Sequence, residues 1–493
     1  MMLDCLVRTV ETDARPADIF RALFARSRHS YWLDSSRLDA GYSRFSFMGD
    51  DSGPLAHIVS QRMGESTIVR LASGKIVVHE TDIFRFLDTA LVENALRQPS
   101  DLPFDFNGGY VGYLGYELMA ITEQVDGQRS SLPDAQLLFS DRFVAIDHLN
   151  ATVYLVALYE GDASDARRWA ESTRDELEMM ISAPAPPRAE ICERSLVKDY
   201  LLHGRSDYLA NIARCKEEIE AGESYEVCLT NRVRIPLRPH TQEDIFETYL
   251  TLRETNPAPY ACFIKGEAYN VLCSSPERFL KINREKEVEA RPIKGTMPRD
   301  PNPERDEANK RLLAQDKRFF SENLMIVDLL RNDLSRSCVP GTVSVPALMK
   351  VESYATVHQL VSTIRGTLQS SVPQCIARCF PGGSMTGAPK KRTLEIINEI
   401  EGVPRGIYSG AIGYLSLNGT ADLNIVIRTI VIVGDSAEIG VGGAITYLSD
   451  PQSEFEEMVL KALAPVSALE RLIAPAHFED RGSHRLETVP TGQ

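Results

Sequence analysis

No apolar run in this chain is long enough to cross a membrane: the longest candidate, residues 423–433, is too short and is interrupted by Arg428. Basic residues are in deficit, with 54 Lys and Arg against 69 Asp and Glu and a formal net charge of −15. That balance argues against a general nucleic-acid or anionic-membrane surface, so neither is expected as a partner. The nine Cys are scattered, with no Cys-x-x-Cys and no Cys/His metal spacing. A dispersed, odd set fits reduced thiols better than a disulfide framework. No basic flank followed by an apolar block opens the chain, so no signal peptide is read and a cytoplasmic protein is expected. Internal repeats and low-complexity segments are also missing. Gly382-Gly383-Ser384-Met385-Thr386-Gly387-Ala388-Pro389-Lys390 has glycine spacing reminiscent of a phosphate loop, but Ala-Pro stands before the Lys and the Gly-Lys-Ser/Thr ending is absent, which excludes a nucleotide P-loop.

The 493 residues, 43% of them hydrophobic and 25% charged, suffice for a large core. Helical spacing is read at 16–28, 81–97, 163–181, 206–221, 318–332, 393–399 and 453–473. Strands are read at 136–147, 152–159, 225–235, within 260–282, at 410–417 and at 423–433, with a hairpin in 66–80 around Ser73-Gly74. The segment 42–49 reads as extended. This mixture indicates an α/β or α+β protein. The Pro-rich run at 182–187 is the best candidate boundary, and the polar tail from 474 is expected to fray.

Several stretches carry side chains suited to chemistry. Pro292-Ile293-Lys294-Gly295-Thr296 offers one amine beside a residue that permits close approach. A Lys serves as nucleophile only when its amine is neutral, which burial favours and nearby carboxylates oppose. Glu454, Glu457 and Lys461, at i, i+3 and i+7, share one helix face that is either a solvated charged face or a place for a hard cation and an anionic ligand. Before them, Gly442-Gly443-Ala444 presents small residues whose backbone N–H groups can meet a carboxylate. Arg428, inside an apolar run, needs a partner: an internal acid or a ligand carboxylate. Glu277, at the end of an apolar strand, is either an exposed turn residue or a proton donor with a raised pKa. His358, a lone His in an apolar stretch, reads more readily as structural than as catalytic.

The order of these stretches matters more than any one of them. Ala221-Gly222-x-x-Tyr225, Ser275-Pro276-Glu277, Pro292 to Thr296, Ser321-Glu322-x-Leu324-Met325-Ile326-Val327-Asp328-Leu329-x-Arg331-Asn332-Asp333, Val357-His358, the Gly382 to Lys390 loop, Tyr408-Ser409-Gly410-Ala411-Ile412-Gly413-Tyr414, Ile427-Arg428-Thr429 and Glu454-x-x-Glu457-x-x-x-Lys461 follow one another. In that order they resemble the chorismate-utilising enzymes, and within them the aminodeoxychorismate branch, marked by Pro-Ile-Lys-Gly-Thr, where the anthranilate branch has Ala at the Lys position.

The resemblance implies large antiparallel-rich sheets packed as a sandwich with helices outside. It implies an N-terminal region over 1–185, a chorismate-binding catalytic region over 186–473 and a tail over 474–493. It implies amination of chorismate to 4-amino-4-deoxychorismate, with ammonia from a separate glutaminase subunit and Mg²⁺ as cofactor. Glu322 and Glu457 would bind Mg²⁺, with Glu454 close by. Lys461 and Thr386 would help with the ring carboxylate. Arg428, Tyr408 and the amides near Gly442, Gly443 and Ala444 would hold the enolpyruvyl carboxylate. Gly295 and Thr296 would line the ring, His358 would orient it, Glu277 would protonate the departing hydroxyl and Lys294 would attack. Ser35, Pro259 and Tyr260 would line a tryptophan pocket. Two departures stand out: Glu226 occupies the position where water-adding relatives carry a Lys base, and Phe319 stands where many members carry a second acid. Anthranilate synthesis and a non-catalytic regulatory subunit are the alternative readings.

Overall fold

A computed structural model describes residues 2–37, 43–97, 102–180, 194–353 and 357–474, with the backbone alone at 194, 195, 317 and 318. The expectations for Tyr42, the Pro-rich run at 182–187 and the tail from 475 lie outside these residues.

Two antiparallel sheets organise the chain. The first has eleven strands in the order Asp4–Glu11, Thr152–Tyr159, Arg142–Asp147, Phe45–Asp50, Ser30–Asp34, Tyr260–Lys265, Tyr269–Ser275, Thr429–Val433, Ser436–Ile445, Glu226–Pro236 and Gly387–Ala388. The second runs Ile293–Pro298, Val357–Thr367, Glu287–Ala290, Arg278–Ile282, Ala421–Ile425, Ala411–Ser416, Gly109–Leu114, Ala135–Ser140, His57–Gln61, Thr67–Leu71 and Ile76–His79, with Ser344–Ser353 added beside Val357–Thr367.

Side-chain alternation explains why these sheets stack. In Arg142–Asp147, Phe143 and Ala145 enter the core shared with the second sheet, while Val144 and Ile146 enter the core under the outer helices. In Ala411–Ser416, Ile412 and Tyr414 face the first sheet and Ala411 and Leu415 face the opposite helices. Period-two alternation with both faces apolar requires cover on both faces, and each sheet has it. Helices Arg205–Glu220, Gln242–Thr255 and Pro451–Leu469 cover the first sheet, and Ile83–Glu93, Lys317–Ser335 and Val372–Cys379 cover the second. The expected sandwich with helices outside is what the structure shows. Each sheet takes a block of strands from before residue 160 and a block from after 225.

Three readings are corrected. The helix expected over 16–28 ends at Leu23, where Phe24 leaves helical geometry. The single strand expected over 136–147 is two strands in different sheets, broken at buried Asp141, which accepts the Leu55 N–H at 2.8 Å. The strand expected over 423–433 likewise splits into Ala421–Ile425 in the second sheet and Thr429–Val433 in the first. Apolar runs continue through these steps because the core is continuous between the sheets, so periodicity alone cannot reveal a change of sheet. No helix among the described residues is long and apolar enough to cross a membrane.

Candidate active site

The site forms where neighbouring strands step from one sheet to the other. Tyr269–Ser275 leads through Pro276 and Glu277 into Arg278–Ile282, and Ala421–Ile425 leads through Val426, Ile427 and Arg428 into Thr429–Val433. These strands pair on both sides of the step. At the step itself Ile425 N donates to Glu277 O at 3.0 Å and Ser274 N donates to Arg428 O at 3.2 Å. Arg428 adopts φ of +52° there, a left-handed conformation uncommon outside Gly. Glu277 and Arg428 are thereby fixed on adjacent crossings.

The Arg428 guanidinium makes no hydrogen bond or ion pair among the described residues, although burial lowers its pKa and Glu277 is its one charged counterweight. A largely buried guanidinium without a fixed acid presents its fork to an anion. Glu277 is buried, and burial pushes its carboxyl up to about 7 against the opposing pull of Lys294, the Ser384 hydroxyl, the Ile293 N–H and Arg428. A carboxyl near 7 is suited to giving a proton at neutral pH. Ser384 and the Ile293 amide were not singled out in the sequence; Ser384 lies in the Gly-Gly-Ser-Met-Thr-Gly loop, where only Thr386 drew notice.

Lys294 sits on the strand Ile293–Pro298 and reaches the first sheet, where its Nζ donates to Glu226 Oε1 at 2.9 Å. Burial alone would lower its pKa, but Glu226 and Glu322 outweigh that and raise it. The requirement for a neutral amine is thus not met by burial in this state: the Lys is held as an ion pair. Glu226, noted in the sequence only as a departure from water-adding relatives, is the residue that holds it.

Gly295 has φ of +81°, and a Cβ there would lie 2.8 Å from the Phe319 ring and 2.9 Å from Leu313. Phe319 is therefore the wall behind the Lys294 strand. Thr296 is exposed and at most a weak acceptor for Gln359 at 3.5 Å.

Glu322, on the helix Lys317–Ser335, is pushed up to about 7 by burial first, with Glu226, Glu454 and Glu457 adding repulsion and Lys294 opposing. Glu454 is raised by burial and by Glu457, against the Ser449 hydroxyl, Lys461 and Lys294. Lys461 Nζ bridges Glu457 at 2.9 Å and the Gly442 carbonyl at 3.0 Å. Gly443 faces this group: a Cβ on it would lie 3.3 Å from Glu454 Oε2 and 3.7 Å from Lys461 Nζ. Its strand pairs with Glu226–Pro236 through Thr230↔Gly442, Leu229↔Gly443 and Cys228↔Ala444. On the other side the ladder with Thr429–Val433 stops at Ile430↔Ile439. The edge through Gly442, Gly443 and Ala444 is therefore open, with alternate backbone N–H groups available to a ligand.

Two expected site residues are placed differently. Thr386 is fully buried and its hydroxyl donates to the Gly383 carbonyl at 3.2 Å, so it has no proton left for a substrate carboxylate. His358 is 2% exposed, with Nδ1 on the Ser353 hydroxyl at 2.8 Å and Nε2 on Asp306 at 3.0 Å. Both ring nitrogens are spent on that framework, which corrects the expectation that the imidazole addresses the substrate ring. Lys390 of the glycine-rich loop bonds Asp333 at 2.6 Å and the Cys379 carbonyl at 3.0 Å, so this Lys is spent inside the protein and not offered to a phosphate.

Tyr408 lies flat against Gly440, whose absent side chain leaves room for the ring. Gly440→Ala should push the ring aside. We expect KM for an anionic substrate to rise about tenfold, in line with an overpacking cost of ~1–3 kcal/mol; an unchanged KM with an unchanged thermal midpoint would show that the ring position is immaterial.

No three carboxylates converge on a point that would already ligate a metal among the described residues. The donor set nonetheless fits a hard cation: three carboxylates repel one another beside an open backbone edge, and oxygen donors of this kind suit Mg²⁺.

A model of the family described as chorismate binding enzyme matches residues 50–467. The chain belongs to this family. It is 45% identical over 471 residues to a Streptomyces pristinaespiralis protein named aminodeoxychorismate synthase, covering 94% of this chain and 64% of that one. To Escherichia coli aminodeoxychorismate synthase component 1 it is 33% identical, covering 91% and 95%. The crystal structure of anthranilate synthase component I from Streptococcus pneumoniae superposes with a TM-score of 0.72 at 25% identity, over 88% of this chain and 94% of that one. The chain spans between about half and just under two thirds of the length of the first curated relatives it matches. Lys294, Glu277 and Arg428 all lie within the residues that the family model covers.

A separate cavity of about 310 Å³ shares no lining residue with the Lys294 group. Ser35, Pro259 and Tyr260 all line it, with Asp34, Tyr414 and Asn424. The Ser35 hydroxyl donates to the Phe45 carbonyl at 2.7 Å, and Asp34 is paired with Arg253 at 2.6 Å.

Proposed function

We propose that this chain converts chorismate and ammonia to 4-amino-4-deoxychorismate, with ammonia supplied by a glutaminase partner. The observation that carries the reading is the Lys294 amine, set among Glu226, Glu322 and Glu277 beside an unpaired Arg428. Relatives at 41–46% identity named aminodeoxychorismate synthase support it. Arg428 and Tyr408 hold the enolpyruvyl carboxylate against the open edge at Gly442, Gly443 and Ala444. Gly295 and Thr296 lie along the ring. Lys294 attacks ring carbon 2, Glu277 gives its proton to the departing 4-hydroxyl, and ammonia then bonds carbon 4 as Lys294 leaves. Glu322, Glu457 and Glu454 would hold Mg²⁺, which when bound supplies positive charge to the ring carboxylate; Lys461 adds to it.

The test is incubation with chorismate, Mg²⁺ and ammonium, with products identified by mass. A product that keeps its pyruvyl ether supports the reading; anthranilate with free pyruvate would establish the anthranilate alternative, and no consumption of chorismate would establish a non-catalytic role.

The cavity supports a second, regulatory reading. An aromatic slot among Phe45, Tyr260 and Tyr414, edged by Asp34, Asp105 and Asp422 and by Arg44 and Lys281, suits the indole and the two charged groups of tryptophan. Calorimetry on ligand-stripped protein should show tryptophan binding, weakened at least about tenfold by Pro259→Trp, which fills the slot. Absence of heat with the unmodified protein would remove this reading.

A further inference from the structure

Glu226 is 1% exposed and begins the strand Glu226–Pro236, pairing with Ala388 across the ladder. Its backbone is therefore fixed. Oε1 accepts from Lys294 Nζ at 2.9 Å, whereas Oε2 is buried with no hydrogen-bond partner among the described residues. The nearby Ser224 hydroxyl donates to the Glu226 main-chain carbonyl and leaves Oε2 unserved. A buried carboxylate with one donor is under-compensated. Passing the Lys294 proton along the existing 2.9 Å contact neutralises both groups in one move.

We propose that Glu226 is a catalytic residue: it takes the proton that Lys294 must lose before attacking and returns it when Lys294 is released. This rests on the reading of Lys294 as the nucleophile. The proton passes from the Lys294 ammonium to Glu226. The freed nitrogen pair bonds ring carbon 2, the ring double bond migrates, and the bond from carbon 4 to oxygen breaks. The oxygen takes the Glu277 proton and leaves as water, and the adduct nitrogen keeps two hydrogens and a positive charge. The ammonia pair then bonds carbon 4, the double bond moves back, and Lys294 departs as a neutral amine with its electron pair. Glu226 returns its proton to that amine, and the new carbon-bound nitrogen gives one proton to Glu277. Every residue is restored, and the net change is chorismate plus ammonia to amine plus water.

The competing role has the opposite sign. If Glu226 only holds Lys294 charged, Glu226→Gln frees the neutral amine and speeds attack. As proton acceptor, its loss slows attack, by about 10²-fold or more. The experiment mixes holoprotein carrying Mg²⁺ with saturating chorismate and no ammonia, quenches at intervals, and follows the Lys294 adduct by intact-protein mass. Glu226→Gln should form adduct at least about 10²-fold more slowly than the unmodified protein. Glu226→Ala should be comparably slow and recover at least about tenfold with added formate, a carboxylate small enough for the vacated space. Adduct formation by Glu226→Gln at or above the unmodified rate would overturn the proposal while leaving Lys294 as nucleophile. Lack of formate recovery in a variant that melts normally would do the same. No adduct in the unmodified protein would overturn the nucleophile reading itself, and Glu226 with it.

Discussion

Lys294→Arg should abolish amination, lowering kcat by more than about 10³-fold, because Arg keeps the positive charge but cannot serve as the nucleophile. The Glu226 contact at 2.9 Å would survive as a guanidinium pair, so the change tests chemistry and not charge. Lys294→Ala would add a second effect by leaving Glu226 buried and unpaired, so the Arg variant is the cleaner comparison. Chorismate affinity should change only a few-fold, since Arg428 and the open edge at Gly442, Gly443 and Ala444 are untouched. Steady-state rates and binding by calorimetry check both halves. An Arg variant within about tenfold of the original rate would mean that Lys294 contributes charge alone.

Glu277→Gln should lower kcat/KM by about 10²- to 10⁴-fold and also change its pH dependence. Burial pushes the Glu277 carboxyl up to about 7, so the acid form that can donate is full below that pH and falls as pH rises through it. The unmodified protein should lose kcat/KM about tenfold per pH unit on the alkaline side, and the Gln variant, having no proton to lose there, should not. Profiles from about pH 6 to pH 9 decide it. A descending limb that persists unchanged in the variant would assign the ionisation to another group, with Glu322, also raised to about 7, the first to examine.

Much of this site was legible in the sequence because its residues lie in short ordered stretches. Lys294, Glu277, Arg428 and Glu322, drawn from four separate stretches, lie near enough to bias one another's ionisation. What the sequence could not carry was direction. Thr386 lies in the expected loop, but its hydroxyl turns inward to a carbonyl, a choice made by loop geometry. His358 is bound by Asp306, fifty-two residues earlier, and no local pattern announces that contact. Arg428 looked like a cation inside one buried strand because the apolar run continues across a change of sheet. Helix Pro303–Gln315 escaped notice because only Leu313 of its residues is buried, so it has almost no apolar stripe to read.

Among the described residues, those before 160 meet those after 225 within the sheets along two ladders, Ser30–Asp34 against Tyr260–Lys265 and Gly109–Leu114 against Ala411–Ser416. The cavity opens beside both, with Leu33 and Asp34 on one bank and Tyr260, Ile412 and Tyr414 on the other. A molecule lodged there works as a rivet across two parallel zips. Pulling the chain apart from its ends would have to unfasten the ladders and expel the rivet in the same event, so a tight occupant should raise the rupture force of the whole sandwich even though it touches none of the catalytic groups.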